Sequence, residues 1–187
     1  MTTALIPLSA FQDDVWPRLL SFGMLWSMST LFVDKSIQIN APASRVWDAL
    51  TERACTDAWA AEFSSGGPEF HIESDWKLGS PVLWKGQDGS VIVEGTVTAL
   101  EPKKLLRFTV SDTRGEKALM REDDGITYQL TEHDGPPDQA GRTGTTTLRL
   151  LQGDFSAMAD GEKYCRLSAQ TWDRVLPVVK EWAEKKH

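Results

Sequence analysis

The chain has only two cysteines, Cys55 and Cys165, and three histidines, His71, His133 and His187. Two thiols are too few for the disulfide framework of a secreted domain. They predict small buried thiols in a reducing cytoplasm, with a bridge between them left open. The histidines stand far apart, with no cysteine or carboxylate at ligand spacing, and both HExxH and CxxC are missing. No metal or other cofactor is therefore expected. No Gly-x-Ser-x-Gly follows a strand, so there is no nucleophile elbow. Ser64-Ser65-Gly66-Gly67 is a loop without the Gly-Lys-Ser/Thr continuation of a phosphate cradle. The formal net charge is −7, and the paired lysines Lys103-Lys104 and Lys185-Lys186 read as a turn and a helix end. Without a basic stripe to neutralise phosphates, a nucleic-acid partner is excluded.

A clean membrane span is also missing. The most apolar stretch, residues 1–30, is interrupted by Asp13, Asp14, Pro17 and Arg18. It lacks the basic start and clear apolar core of a signal peptide. Two readings remain for it. It is an amphipathic helix from about Asp13 to Ser27 that docks on the domain or a partner, or it reflects start-site choice, with Met24 or Met28 the real beginning. The second is preferred. The expected organisation is an N-terminal extension over 1–30 and one domain over 31–187.

With 41% hydrophobic residues, the chain is globular and within the range for a single core. Its most informative part is residues 76–110. Val82 and Trp84 alternate with Leu83 and Lys85, and Asp88-Gly89 supplies a positive-φ hairpin turn. Val91, Val93, Gly95 and Val97 share one face of the next strand, which Glu101-Pro102 ends. Leu106, Phe108 and Val110 share one face of a third. This is an antiparallel meander with an apolar face that needs a cover.

The cover is a helix from Lys163 to Lys185. Leu167, Thr171, Trp172, Val175, Leu176, Val179, Trp182 and Ala183 fall at helical spacing on one side. Pro177 interrupts it and predicts a bend. A strand from Phe32 to Ile39, with Ile37 and Ile39 inward, precedes a short helix opened by Pro42, in which Val46, Ala49 and Leu50 form a face. A second short helix covers roughly Arg53 to Ala60. Ile126, Tyr128 and Leu130 form another inner face, then a loop rich in Gly, Pro and Asp runs from Asp134 to Gly144. Thr146, Leu148 and Leu150 mark the last strand.

Ile37-Gln38-Ile39-Asn40-Ala41-Pro42, Val46-Trp47-Asp48-Ala49-Leu50-Thr51, Trp59, Trp76-Lys77-Leu78-Gly79, Glu94-Gly95-Thr96-Val97 and Trp172-Asp173-Arg174-Val175-Leu176 resemble the SRPBCC (START-like) superfamily. Within it they resemble the group named after the C-terminal domain of activators of the heat-shock protein 90 ATPase. The resemblance runs from about Leu31 to the C-terminus and rests on the number, order and spacing of the motifs. It implies an α+β helix-grip fold: a curved antiparallel β-sheet wrapped around a long C-terminal α-helix, with two short helices after the first strand. A hydrophobic cavity often lies between sheet and helix in such proteins. Pro177, the insertion at 134–144 and the N-terminal segment depart from the pattern.

Catalytic chemistry is hard to find. By alternation Glu94 points away from the Val91–Val97 face and reads as an outer residue, and Asp123-Asp124-Gly125 is a turn. The aromatic residues are more informative: eight Trp, seven Phe and two Tyr. Trp47, Trp76 and Trp182 read as core or edge packing. Trp59, Phe63, Trp84, Phe108, Tyr128 and Trp172 are the set that could converge between sheet and helix, with Val93, Leu148 and Leu176 beside them. Such a set either fills the core or lines an apolar pocket. In a pocket, Tyr128 and then Thr146 or Ser168 would give direction. Three classes compete. A non-enzymatic, cytoplasmic binding module for a small hydrophobic molecule leads, because it needs only the cavity. The alternatives, both implied by the resemblance, are a chaperone-interacting module and a cyclase- or aromatase-type enzyme.

Overall fold

The computed structural model describes residues 31–64, 69–113, 125–134 and 144–185. The amphipathic helix expected near 13–27, Ser65-Gly66-Gly67, Asp123-Asp124, most of the loop at 134–144 and the terminal Lys186 and His187 lie outside them.

The chain opens with β1 (Val33–Ile39), then α1 (Ala43–Thr51) and α2 (Arg53–Ala60), and a short 3-10 turn over Ala61–Ser64. The strands β2 (Phe70–Glu73), β3 (Pro81–Gly86), β4 (Val91–Glu101), β5 (Leu105–Phe108), β6 (Ser111–Asp112), β7 (Gly125–His133) and β8 (Thr145–Gly153) follow. A short 3-10 turn at Phe155–Ala157 leads into α3 (Gly161–Glu184). The strands form one antiparallel sheet in the order β1-β8-β7-β5-β4-β3-β2, with the short β6 beside β4. The sheet curls around α3, as the helix-grip expectation requires.

Local chemistry explains most boundaries. Pro42 sits at the N-cap of α1, φ −66° and ψ 157°, where its missing N–H costs nothing. Its carbonyl accepts from Arg45 and Val46. Glu52 closes α1 and opens α2: its N–H donates to the Asp48 carbonyl, and its own carbonyl accepts from Cys55 and Thr56. The hairpin between β3 and β4 turns at Gly89, φ +81°, the left-handed conformation that glycine adopts without strain. Gly95 serves close approach instead. A Cβ there would stand 1.8 Å from the Thr109 carbonyl oxygen, so only glycine lets β4 pass beneath that peptide.

The core lies between the concave sheet face and the helices. Val97, Leu106, Phe108, Ile126, Tyr128, Leu148 and Leu150 from the sheet meet Trp172, Val175, Leu176, Val179 and Ala183 of α3 and Val46, Leu50 and Trp59 of α1 and α2. Polar contacts seat α3 along β1: Lys35 Nζ meets Asp173 Oδ1 at 2.5 Å, Lys180 Nζ donates to the Gln38 carbonyl, and the Asn40 N–H donates to Glu184 Oε1.

The structure corrects several expectations. Leu167 shares the helical spacing of the buried stripe of α3 but is 47% exposed; apart from Gly161, full burial on this helix begins at Trp172, the earlier turns meeting the core through the half-buried Cys165 and Ala169. Cys165 is only half-buried whereas Cys55 is buried, and the two are unbridged. β5 stops at Phe108, so Val110 packs on the core from outside the strand. β2 was not foreseen, and His71 lies within it. The helical assignment of α3 continues through Pro177. Pro177 and Asp173, whose carbonyl loses its donor, are both exposed, so water can take the missing place. Glu94 is exposed, as alternation requires.

Candidate functional site

Six secondary-structure elements each contribute one ring to a contiguous aromatic cluster beneath α3. Trp59 comes from α2, Phe63 from the following 3-10 turn, Trp84 from β3, Phe108 from β5, Tyr128 from β7 and Trp172 from α3. Phe63 stands edge-on to Trp84 and to Trp172, with centroids 5.3 and 5.1 Å away. Trp172 continues to Tyr128 at 6.0 Å and Tyr128 to Phe108 at 5.9 Å. Trp59 closes on Phe63 and Trp172 at 6.3 and 6.4 Å. The set named from sequence is thus brought together. Val93 pairs with Trp84 across the β3–β4 ladder, and Leu148 and Leu176 are buried in the same core.

Two further rings join that sequence reasoning left out of the set. Phe70 stacks on Trp84 at 4.9 Å and 9°, and Trp76 meets Phe108 at 5.7 Å. Phe70 arrives on β2, whose four residues carry too little alternation to be read. Trp76 reads as edge packing and is half-buried, held by an indole bond to the Thr51 carbonyl.

The polar tips of these rings divide into two groups. Trp59 Nε1 donates to the Ala49 carbonyl at 3.1 Å. Trp172 Nε1 donates to Gln152 Oε1 at 2.6 Å, and Ser168 Oγ donates to the same oxygen at 2.7 Å. Gln152 was missed from sequence, because nothing local marks it as the residue opposite Trp172. Thr146 Oγ1 donates to the Ala41 carbonyl, so Thr146 and Ser168, expected to give direction in a pocket, already have partners. In contrast, Trp84 Nε1, Tyr128 Oη and Ser64 Oγ are buried without a hydrogen-bond partner among the described residues. Burial raises the Tyr128 phenol far above the ordinary tyrosine value.

Acidic and basic side chains keep out of this cluster among the described residues. Among the described residues only Thr56, Thr127 and Thr146 are buried polar side chains. A dense charge cluster joins α2, β2 and β3, where Glu73 meets Lys85 at 2.5 Å, His71 at 2.9 Å and Arg53 at 3.9 Å. The Lys85 hydrogen bond, then that of His71, holds the Glu73 carboxyl below its usual value. His133 bonds Thr147, well away in the chain. The described residues hold no group of three or more His, Cys, Asp or Glu placed for a metal ion, and no helix long and apolar enough to cross a membrane.

The family described as Activator of Hsp90 ATPase homolog 1-like protein matches residues 40–181. This chain belongs to that family. Activator of Hsp90 ATPase homolog 1-like proteins are the SRPBCC group whose motifs the sequence carries, and solved structures share the fold. Protein MLL2253 from Mesorhizobium loti is 18% identical, with a TM-score of 0.59 over 83% of this chain and 98% of that one. The Aha1 dimer from Colwellia psychrerythraea is 18% identical, with a TM-score of 0.54 over 82% and 96%. ChR145 from Cytophaga hutchinsonii is 22% identical, with a TM-score of 0.54 over 82% and 94%. At these identities the likeness shows the fold alone. No curated protein matches.

Proposed function

We propose that this protein is a non-enzymatic binding module for a small hydrophobic molecule held between the sheet and α3. One observation carries the reading: the aromatic cluster contains buried polar tips, on Trp84 and Tyr128, that have no partner among the described residues. A cluster that served only as filling would gain by carrying phenylalanine there, because an unpaired buried donor is destabilising. Aromatic walls with a few polar groups are the usual lining of a small-molecule site.

The cyclase or aromatase reading finds less support. Proton transfer needs a group that titrates near working pH. Tyr128 is far from that range, and no carboxylate or imidazole is buried among the described residues. The chaperone reading rests on the family description. The unbridged Cys55 and Cys165 agree with a reducing compartment such as the cytoplasm.

The test is titration with an environment-sensitive apolar dye, followed by tryptophan quenching. Wild type is expected to bind more tightly than folded Trp172→Ala or Phe108→Ala. Equal binding by all three would remove the site from beneath α3. Saturable stimulation of a heat-shock protein 90 ATPase by this chain would put the chaperone class first.

A further inference from the structure

We propose that the Ala61–Ser64 turn opens locally and carries Phe63 out of the aromatic cluster, and that Arg174 of α3 is the latch that holds it shut. This goes beyond the binding-module reading, because the opening is a property of the chain in water with no ligand present.

Phe63 is held differently from the other five rings. Trp59, Trp84, Phe108, Tyr128 and Trp172 lie on helices and strands, and all are buried. Phe63 is half-buried, and its turn has no buried residue. Its ring meets Trp59, Trp84 and Trp172, at 6.3, 5.3 and 5.1 Å. Of the six rings it is the one at the boundary with solvent. A segment with so little buried area belongs to the low end of local stability.

Packing alone holds such a turn weakly, so its polar contacts matter. Arg174 supplies them. Its Nε lies 3.4 Å from Glu62 Oε2, and its Nη2 donates to the Glu62 carbonyl at 3.3 Å. The guanidinium is itself fixed on α3, where Nη1 donates to the Gln170 carbonyl and Nη2 to Thr171 Oγ1. The two side chains of the pair are 45% and 35% exposed. An ion pair in that setting is worth little. It biases the turn towards the closed position without welding it there.

Opening also satisfies groups that the closed turn leaves unpaired. Ser64 Oγ ends the turn, and the Trp84 ring lies against Phe63. Both Ser64 Oγ and Trp84 Nε1 are buried without a partner among the described residues. Water admitted by the outward movement of Phe63 gives the indole an acceptor and the hydroxyl a partner, which offsets part of the lost packing. The same movement makes a route from solvent to Trp84 and Trp172.

Hydrogen exchange followed by NMR on the full chain reads this opening. The probe is the Trp84 indole N–H. Its protection is expressed relative to the slowest backbone amides of β7 and β8, which exchange by global unfolding. In wild type the indole is expected to be at least tenfold less protected than those amides. Arg174→Gln should lower this ratio about two- to fivefold further, the worth of an exposed ion pair. Phe63→Ala should lower it at least tenfold. Lys35→Gln breaks a different ion pair of α3, that of Lys35 with Asp173, and should leave the ratio unchanged.

A Trp84 indole as protected as the amides of β7 and β8 would overturn the local opening. An unchanged ratio in Phe63→Ala would show that solvent arrives by another way, and would overturn it too. An unchanged ratio in Arg174→Gln, or an equal drop in Lys35→Gln, would overturn the assignment of Arg174 as the latch. The dye titration decides separately whether a small molecule binds beneath α3.

Discussion

Trp172 of α3 donates its indole N–H to the side-chain oxygen of Gln152 on β8, 2.6 Å away. This polar contact, with that of Ser168 to the same oxygen, ties the long helix to the sheet. Gln152→Leu would leave the Trp172 indole buried and unpaired, at a cost of about 1–3 kcal/mol. A thermal melt should then fall by several degrees, since about 1 kcal/mol moves a domain of this size by roughly 2–4 °C. An unchanged melt would mean that the indole finds another acceptor.

Two phenylalanines in the cluster should behave differently. Phe108 is 1% exposed and sits in a strand, so Phe108→Ala should cost about 3–5 kcal/mol in urea unfolding. Phe63 is half-buried on a 3-10 turn, and Phe63→Ala should cost about half of that or less, because part of its area is already wet. Equal losses would show that the turn is as firmly part of the core as β5.

Acid should weaken the protein through two surface carboxylates. Asp34 forms a forked pair with Arg149, at 2.9 and 2.6 Å, and this hydrogen bond holds its carboxyl below the usual value. Lys85 does the same for Glu73. A lowered folded-state value means that the contribution is complete above the ordinary carboxylate range, about pH 4, and is lost as pH falls through the folded values. In a series of melts, Asp34→Asn/Glu73→Gln should lie below wild type at pH 7. The two curves should converge in acid. Parallel curves would show that neither carboxylate contributes through its charge.

Residues 1–27 should be dispensable for the fold. The core beneath α3 is complete among the described residues. A chain starting at Met28 keeps Leu31, whose N–H donates to Asp154 and whose carbonyl accepts from Phe155. It should melt within about 2 °C of the full chain, less than the shift expected from 1 kcal/mol. A larger loss would assign the N-terminal segment a docking place, and the exposed Phe32, Tyr164 and Leu167 near the starts of β1 and α3 are where it would be sought.

Short-range chemistry made much of this fold readable. The Asp88-Gly89 turn, the valines of β4, Pro42 before α1 and the helical spacing of Trp172, Val175, Leu176 and Val179 each signal within a few residues. Much of the aromatic set could be named because Trp84, Phe108, Tyr128 and Trp172 lie on faces already assigned. Residues that depend on distant partners could not be read in this way. β2 owes its pairing to β3, across a turn, and brings Phe70 with it. Gln152 matters only because α3 crosses β8 there. Leu167 continues the helical stripe, but spacing alone does not say where the core beneath a helix ends.

The contacts that seat α3 also bear on how this chain meets its own copies. β1 is the outermost strand of its end of the sheet, and an outermost strand is a template on which another chain can pair. Lys180 and Glu184, from the last turns of α3, occupy the Gln38 carbonyl and the Asn40 N–H. The helix thus occupies the Gln38–Asn40 end of this edge as well as covering the core. Loss of the last two turns of α3 would uncover these two groups together with the buried Val179 and Ala183, so aggregation and lost stability are expected together.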